Sequence, residues 1–218
     1  TMDSDGLWPV DAIAFWEGET KQVREGVSAE IFRVMADACE AYPNLLYTTK
    51  APMDQLSKKN EGYLGKDEMR DPMTLASAAT GVFTWGKISG ALDKKLEDRL
   101  RAAAKKLIKL REEAYWEPSW FNAFGGTLEA TAAAMMFMVR LDKDGYEAEL
   151  RRAVEEICSL FYVDTADRPD LQPFLDRAVG VLAAQGPRIV PQLLELMKGS
   201  DIKSHLYLAR TLGAIGHP

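Results

Sequence analysis

The side chains best suited to chemistry in this chain are carboxylates placed around a helix that is otherwise apolar. Two carboxylates can act as general acid and general base when their environments differ. Glu129 is the foremost candidate because it begins the apolar run LEATAAAMMFMVRL over residues 128–141. A plain structural role, interaction with the positive end of a helix, also explains its position and is preferred. The other candidates are Glu112, Glu113, Glu117, Asp164 and Asp167.

Aromatic residues are concentrated immediately before this apolar run. Rings at this density can line a groove that grips an apolar ligand or a partner's side chain. They can equally fill the junction between two pairs of helices, and that is the default interpretation. Trp116, Trp120 and Phe124 are kept as candidate binding residues from the cluster Tyr115, Trp116, Trp120, Phe121 and Phe124.

The few histidines and cysteines do not form a metal site. His205 and His217 lie 12 residues apart, outside any set of ligands with metal-binding spacing. Cys39 and Cys158 occur far apart within apolar helical patterns, which indicates buried free thiols. The sequence also lacks a glycine-rich phosphate loop, a serine nucleophile elbow and a Cys-x-x-Cys motif. We therefore expect no metal, no cofactor and no catalytic residue, and a non-enzymatic role is favoured.

Composition describes an acidic globular protein. Of the 218 residues, 47% are apolar and 28% are charged, and the net charge is −6. An acidic chain is repelled by phosphate backbones, so nucleic acid is not an expected partner. The predicted helix 90–114 is locally basic, but five acidic residues share it, which favours a solvated outer face.

The sequence contains no membrane-spanning segment. No apolar run approaches the roughly 20 residues that a bilayer requires. Two separate thiols favour a reducing compartment, so a cytoplasmic location is predicted.

Hydrophobic periodicity predicts an all-α fold in which two kinds of helix alternate. Helix 90–114 carries one apolar stripe, helix 127–141 is apolar all round, and helix 145–161 is amphipathic again. This alternation is typical of an α-α superhelix, a solenoid of stacked helical hairpins. The other predicted helices are 28–42 and 72–85, the second of them opened by Asp71 and Pro72.

The expected organisation has two parts. Residues 1–70 are predicted to form an irregular N-terminal arm plus the first helix, with residues 44–71 the least regular stretch. Residues 71–218 are predicted to form the stacked hairpins. One continuous domain is the alternative. Because the chain stops just after a helix that belongs to an unfinished array, we expect it to be a fragment of a longer protein.

The last 50 residues resemble HEAT repeats of the short bacterial type. Gly186 and Pro187 open a first helix, Ser200 and Asp201 form the turn that caps a second, and Gly216 ends it. Segment 168–186 repeats the second-helix half, so residues 168–218 are the most HEAT-like.

HEAT-like repeats imply a concave surface that binds another protein or a peptide. The resemblance places Lys203, Tyr207 and Arg210 on the contact ridge, with Arg177 and Gln172 as their counterparts. A protein-interaction or scaffold module is thus the first functional hypothesis. The sequence specifies neither the partner nor the oligomeric state.

Residues 115–138 more faintly resemble a repeat of the α/α-toroids found in squalene cyclases and protein prenyltransferases. The matching positions include Trp116, Trp120 and Glu129, although the acidic cluster and the zinc ligands of those enzymes are missing. The alternative hypothesis is therefore a small-molecule-binding or enzymatic protein, of this type or like the bilin lyases, with a pocket near these three residues. A purely structural spacer is a third possibility.

Overall fold

The computed structural model describes residues 20–66, 69–111, 124–162 and 169–216. Within these ranges the regular structure consists of nine α-helices joined by short connections, and no strand occurs. The all-α prediction is therefore confirmed for the described residues. None of the described helices has an apolar stretch long enough to cross a membrane.

The chain divides into two units, residues 1–110 and residues 111–218. Residue 70, where the sequence analysis expects a boundary, lies inside the first unit. The described residues of that unit form four helices: α1 (Thr20–Ala41), α2 (Leu46–Leu64), α3 (Pro72–Ser89) and α4 (Lys94–Leu110).

Helix α2 occupies a stretch that the sequence analysis takes to be irregular. It forms around Pro52, whose missing N–H ordinarily disfavours a helix interior. Its buried face includes Met53, Leu56, Asn60 and Leu64, which recur at three- and four-residue spacing. Burial of this face against α3 outweighs the local cost of the proline.

Helix α3 lies at the centre of the first unit and begins as predicted. The Asp71 carboxylate accepts a hydrogen bond from the backbone N–H of Thr74 at 2.7 Å, and Pro72 occupies the first turn. The helix ends at Gly90, whose φ of 76° is left-handed. The small residues of α3 permit close approach of α1, because the Gly81 backbone packs directly against the Phe32 ring.

In the second unit the structure describes five helices, and three of them form a row. These are α5 (Phe124–Asp142), α7 (Gln172–Ala183) and α9 (Ile202–Ile215), with α5 packed on α7 and α7 packed on α9. The described part of α5 is buried on every side from Leu128 to Phe137, apart from the partly exposed Met136. The apolar pattern around this helix is therefore explained by its interior position.

The remaining two helices of the second unit pack against this row. Helix α6 (Glu147–Ser159) contacts α5 and α9, and helix α8 (Val190–Gly199) contacts α9. Asp201 caps α9 as predicted, accepting from the backbone N–H of Ser204 at 2.9 Å. Among these described helices, α5 is the one buried on all sides, whereas α7, like α6 and α8, keeps an exposed side that includes Asp176 and Gly180.

The contact at Gly81 yields a stability prediction. A Cβ atom at this position would lie 2.7 Å from Cδ1 of the buried Phe32 ring. Gly81→Ala should therefore lower the free energy of unfolding by about 1–3 kcal/mol, because crowding in a packed core outweighs the higher helix propensity of alanine.

Gly62→Ala is the matched control, since the added Cβ would meet nothing within 4 Å on α2. Here we expect a gain of about 0.5–1 kcal/mol from helix propensity. Urea denaturation followed by circular dichroism measures both changes. Equal effects at the two glycines would contradict the close α1–α3 contact.

Candidate functional site

The second unit contains an open groove between α6 on one side and α8 with the start of α9 on the other. We call it the α6–α8 groove. It has two lobes, with volumes of about 370 Å³ and about 410 Å³. Both lobes are lined by Glu155, Glu195 and Leu196, so they adjoin at these residues.

One wall of the groove is a face of α6 that continues into the 3₁₀ turn Leu160–Tyr162. Glu147, Arg151 and Glu155 line the first lobe at four-residue spacing, and Cys158 and Tyr162 continue the wall of the second. From Glu147 to Tyr162 this face extends about 22 Å at the rise of an α-helix. The whole length of α6 is therefore available to a ligand.

Hydrogen bonds from Gln192 hold the two walls at a fixed separation. Its side-chain Nε2 on α8 donates to the backbone carbonyl of Arg151 at 2.8 Å and to Oε1 of Glu155 at 3.1 Å. Both acceptors belong to α6. The connection positions Glu155 at the point where the two lobes join.

Two residues that line the first lobe each have a buried side-chain nitrogen without an acceptor among the described residues. The two atoms are Nε2 of Gln185 and Nη2 of Arg188, and Gln185 as a residue is only 2% exposed. The other terminal nitrogen of Arg188, Nη1, donates to the carbonyl of Lys143 at 2.8 Å and to Asp144 at 3.1 Å. A buried donor without an acceptor costs about 1–3 kcal/mol, which a ligand oxygen would recover.

A left-handed turn places these donors. Gly186 follows α7 with a φ of 76°, a conformation that favours glycine, and it lies between Gln185 and the turn that holds Arg188. The glycine that the HEAT resemblance identifies as the start of a repeat thus turns the chain into the first lobe.

The groove is negatively charged. Its described lining includes four carboxylates and two guanidinium groups, and Arg188 is already paired with Asp144 outside the lining. Glu195 pairs with Lys198 at 2.6 Å, but both side chains are exposed, so the pair is weak. The carboxylates are Glu147, Glu155, Glu195 and Asp201.

Asp201 is a fixed charge at the far end of the groove. The hydrogen bond from the Ser204 backbone lowers the pKa of its carboxyl below the ordinary value, and Lys203 adds to this shift. Asp201 is consequently ionised at neutral pH.

Cys158 lies in the groove wall but is not suited to nucleophilic chemistry. The residue is 5% exposed, and burial together with the charge of Glu155 raises the pKa of its thiol to about 12. Only the thiolate is a good nucleophile, so this thiol is inert at neutral pH. Both Cys39 and Cys158 are free and buried, as the sequence predicts.

Of the residues expected to line a pocket near the aromatic cluster, Glu129 is the one whose side chain the structure describes. Trp116 and Trp120 lie outside the described residues, and the side chain of Phe124 is also outside the description. Glu129 is 7% exposed on α5 and forms an ion pair with Arg177 on α7. Its carboxylate is therefore engaged in joining two helices of the row.

The residues expected on the contact ridge differ in their exposure. Tyr207 is only 2% exposed, because its ring packs on Phe161 with a centroid separation of 5.2 Å. This corrects the expectation of an accessible tyrosine. Lys203 and Arg210 are exposed. Arg210 pairs with Asp176 at 2.6 Å.

The counterparts of the ridge residues belong to the row of α5, α7 and α9. Gln172 donates to the same Asp176 carboxylate at 2.7 Å, and Arg177 holds Glu129. Of the candidate residues from the sequence, the four whose side chains the structure describes, Glu129, Lys203, Tyr207 and Arg210, are not among those that line the groove. Sequence reasoning missed this site, although the four-residue spacing of Glu147, Arg151 and Glu155 was visible.

No protein-family model matches the chain, and neither a curated protein nor a solved structure matches it. Among the residues that the structure describes, no group of three or more histidine, cysteine or carboxylate side chains is arranged to hold a metal ion.

The Glu129–Arg177 pair gives a prediction about stability. Glu129→Gln should lower the free energy of unfolding by about 2–4 kcal/mol, because it leaves the Arg177 guanidinium largely buried without its carboxylate. The double variant Glu129→Leu/Arg177→Met should lose less unfolding free energy than Glu129→Leu and Arg177→Met lose in total as single variants. Strictly additive losses in urea denaturation would show that the pair does not couple α5 to α7.

The environment of Cys158 gives a prediction about reactivity. In a Cys39→Ala background at pH 8, a disulfide reagent should modify native Cys158 more than ~100-fold more slowly than the same thiol in urea, since burial suppresses both ionisation and access. The absorbance of the chromophore that the reagent releases on reaction measures both rates. Rapid, stoichiometric labelling of the folded protein would contradict a buried, protonated thiol.

Proposed function

We propose that this protein is a protein-interaction module in which the helices of the second unit stack as HEAT-like hairpins, and that the α6–α8 groove is its binding site for a peptide segment. The main observation in support is that the two lobes adjoin and together follow the whole length of α6. Stacked helical hairpins characteristically present an extended surface of this kind to a partner.

The dimensions of the groove support a peptide ligand. A face of about 22 Å matches an extended segment of about seven residues, at roughly 3.3 Å per residue. Small-molecule sites are usually enclosed and mostly apolar. This groove is open and carries charged side chains along both walls, so a chain that lies across it is the better fit.

The arrangement of the helices supports the HEAT-like part of the proposal. Helices α5, α7 and α9 form one row, while α6 and α8 pack against it, which is the two-layered order expected of stacked hairpins. The exposed side chains of Lys203 and Arg210 on α9 offer a second surface for the same partner. Two buried free thiols suit a reducing, cytoplasmic location.

The proposal is tested by selecting heptapeptides that bind the full chain and then placing their binding site. Leu196 lines both lobes, so Leu196→Trp should fill the groove where they join and weaken the selected peptides by about tenfold or more. Fluorescence anisotropy of labelled peptides measures the change.

Leu194→Trp is the matched control, because Leu194 is on the same helix, is 45% exposed and does not line the groove. Its peptide affinity should equal that of the unmodified protein. A selection that yields no peptide, or peptides that bind Leu196→Trp as tightly as Leu194→Trp, would overturn the proposed function.

A further inference from the structure

The charge of the α6–α8 groove and its buried donors specify what kind of peptide it takes. We infer that the occupant is an extended segment carrying two lysine or arginine residues four positions apart, an inference that rests on the proposed function. Its backbone oxygens would accept from Gln185 and Arg188, and its two cations would reach Glu147 and the Glu155–Glu195 pair.

The carboxylates argue for a cationic partner. Glu147, Glu155 and Glu195 are all exposed in the groove, and they outnumber Arg151, the lining cation for which no ion pair occurs among the described residues. The chain as a whole carries a net charge of −6, which attracts a basic partner and repels an acidic one. The exposed Lys198 competes only weakly for Glu195.

The buried donors argue for a peptide rather than a simple polycation. Nε2 of Gln185 and Nη2 of Arg188 need oxygen acceptors, and the first lobe supplies none from the described residues. A polyamine carries donors only and would leave both nitrogens unsatisfied. A basic peptide brings carbonyl oxygens and cations together on one chain, so it satisfies the donors and the carboxylates at once.

The spacing of the carboxylates sets the spacing of the cations. Glu147 and Glu155 are eight positions apart on α6, which corresponds to about 12 Å along the helix. In an extended peptide, residues four positions apart point to the same side and are about 13 Å apart. A segment with the pattern basic-x-x-x-basic therefore places one cation near Glu147 and the other near Glu155, where Glu195 also lines the groove.

The test uses the full chain and three fluorescein-labelled nonapeptides with the same alanine–serine background. Positions 3 and 7 are lysine in the basic peptide, glutamine in the neutral peptide and glutamate in the acidic peptide. We expect the basic peptide to bind at least ~10-fold more tightly than the neutral one in fluorescence anisotropy, with affinity that falls as salt rises, and the acidic peptide to bind more weakly than both.

Variants separate the contribution of charge from that of the donors. The double variant Glu155→Gln/Glu195→Gln should weaken the basic peptide ~10-fold and leave the neutral peptide unchanged, whereas Glu149→Gln, on α6 but outside the groove lining, should change neither. Gln185→Leu should weaken the basic and neutral peptides by the same factor, because both offer the same backbone oxygens.

The possible failures are distinguishable. If the neutral or acidic peptide binds as tightly as the basic one and Leu196→Trp abolishes that binding, the inferred charge preference is wrong while the proposed function stands. If free spermidine displaces the basic peptide at the same concentration as unlabelled peptide, the requirement for backbone oxygens is wrong. If no peptide of any charge binds in the groove, the proposed function fails together with this inference.

Discussion

The second unit depends on the burial of a helix that is apolar on every side. In the described part of α5, every residue from Leu128 to Met138 except the partly exposed Met136 is buried, so neighbouring helices must cover it from several directions. Helix α7 covers one side and is joined to α5 by the Glu129–Arg177 ion pair, and α6 covers another. An amphipathic helix that packs its apolar face against α5 presents its charged face outward. In α6 that outward face becomes the wall of the groove.

The same constraint explains why the groove is both open and well defined. Helices α6 and α8 are anchored separately, on α5 and on α9, and Gln192 connects them by hydrogen bonds to α6. The space between them is thus held by two fixed walls. Charged side chains of α6 line it because the apolar face of that helix packs on α5 and α9, and Leu196 of α8 adds an apolar side chain to both lobes. A surface with this origin suits the recognition of a chain by charge and backbone hydrogen bonds better than it suits the enclosure of an apolar molecule.

Much of the local structure could be predicted from the sequence because its signals are local. Asp71 followed by Pro72 begins α3, Asp201 caps α9, and the apolar run after Leu128 forms a buried helix. Helix α2 was missed because Pro52 and the polar Asn60 conceal a stripe that only tertiary packing against α3 makes apparent.

The groove could not be predicted for a different physical reason. Glu147, Arg151 and Glu155 have the spacing of any solvated helix face, and nothing in the sequence places α8 opposite them. Tyr207 shows the converse problem, since its amphipathic side chain suits a binding ridge and a packed core equally, and only its contact with Phe161 decides between them.

Hydrogen–deuterium exchange of the full chain shows whether a peptide segment lies between α6 and α8. With a saturating basic nonapeptide, we expect slower amide exchange in Glu147–Ser159 and Val190–Gly199, and no change in Lys94–Leu110 of the first unit. Protection confined to other helices, with α6 and α8 exchanging as in the free protein, would contradict this placement of the peptide.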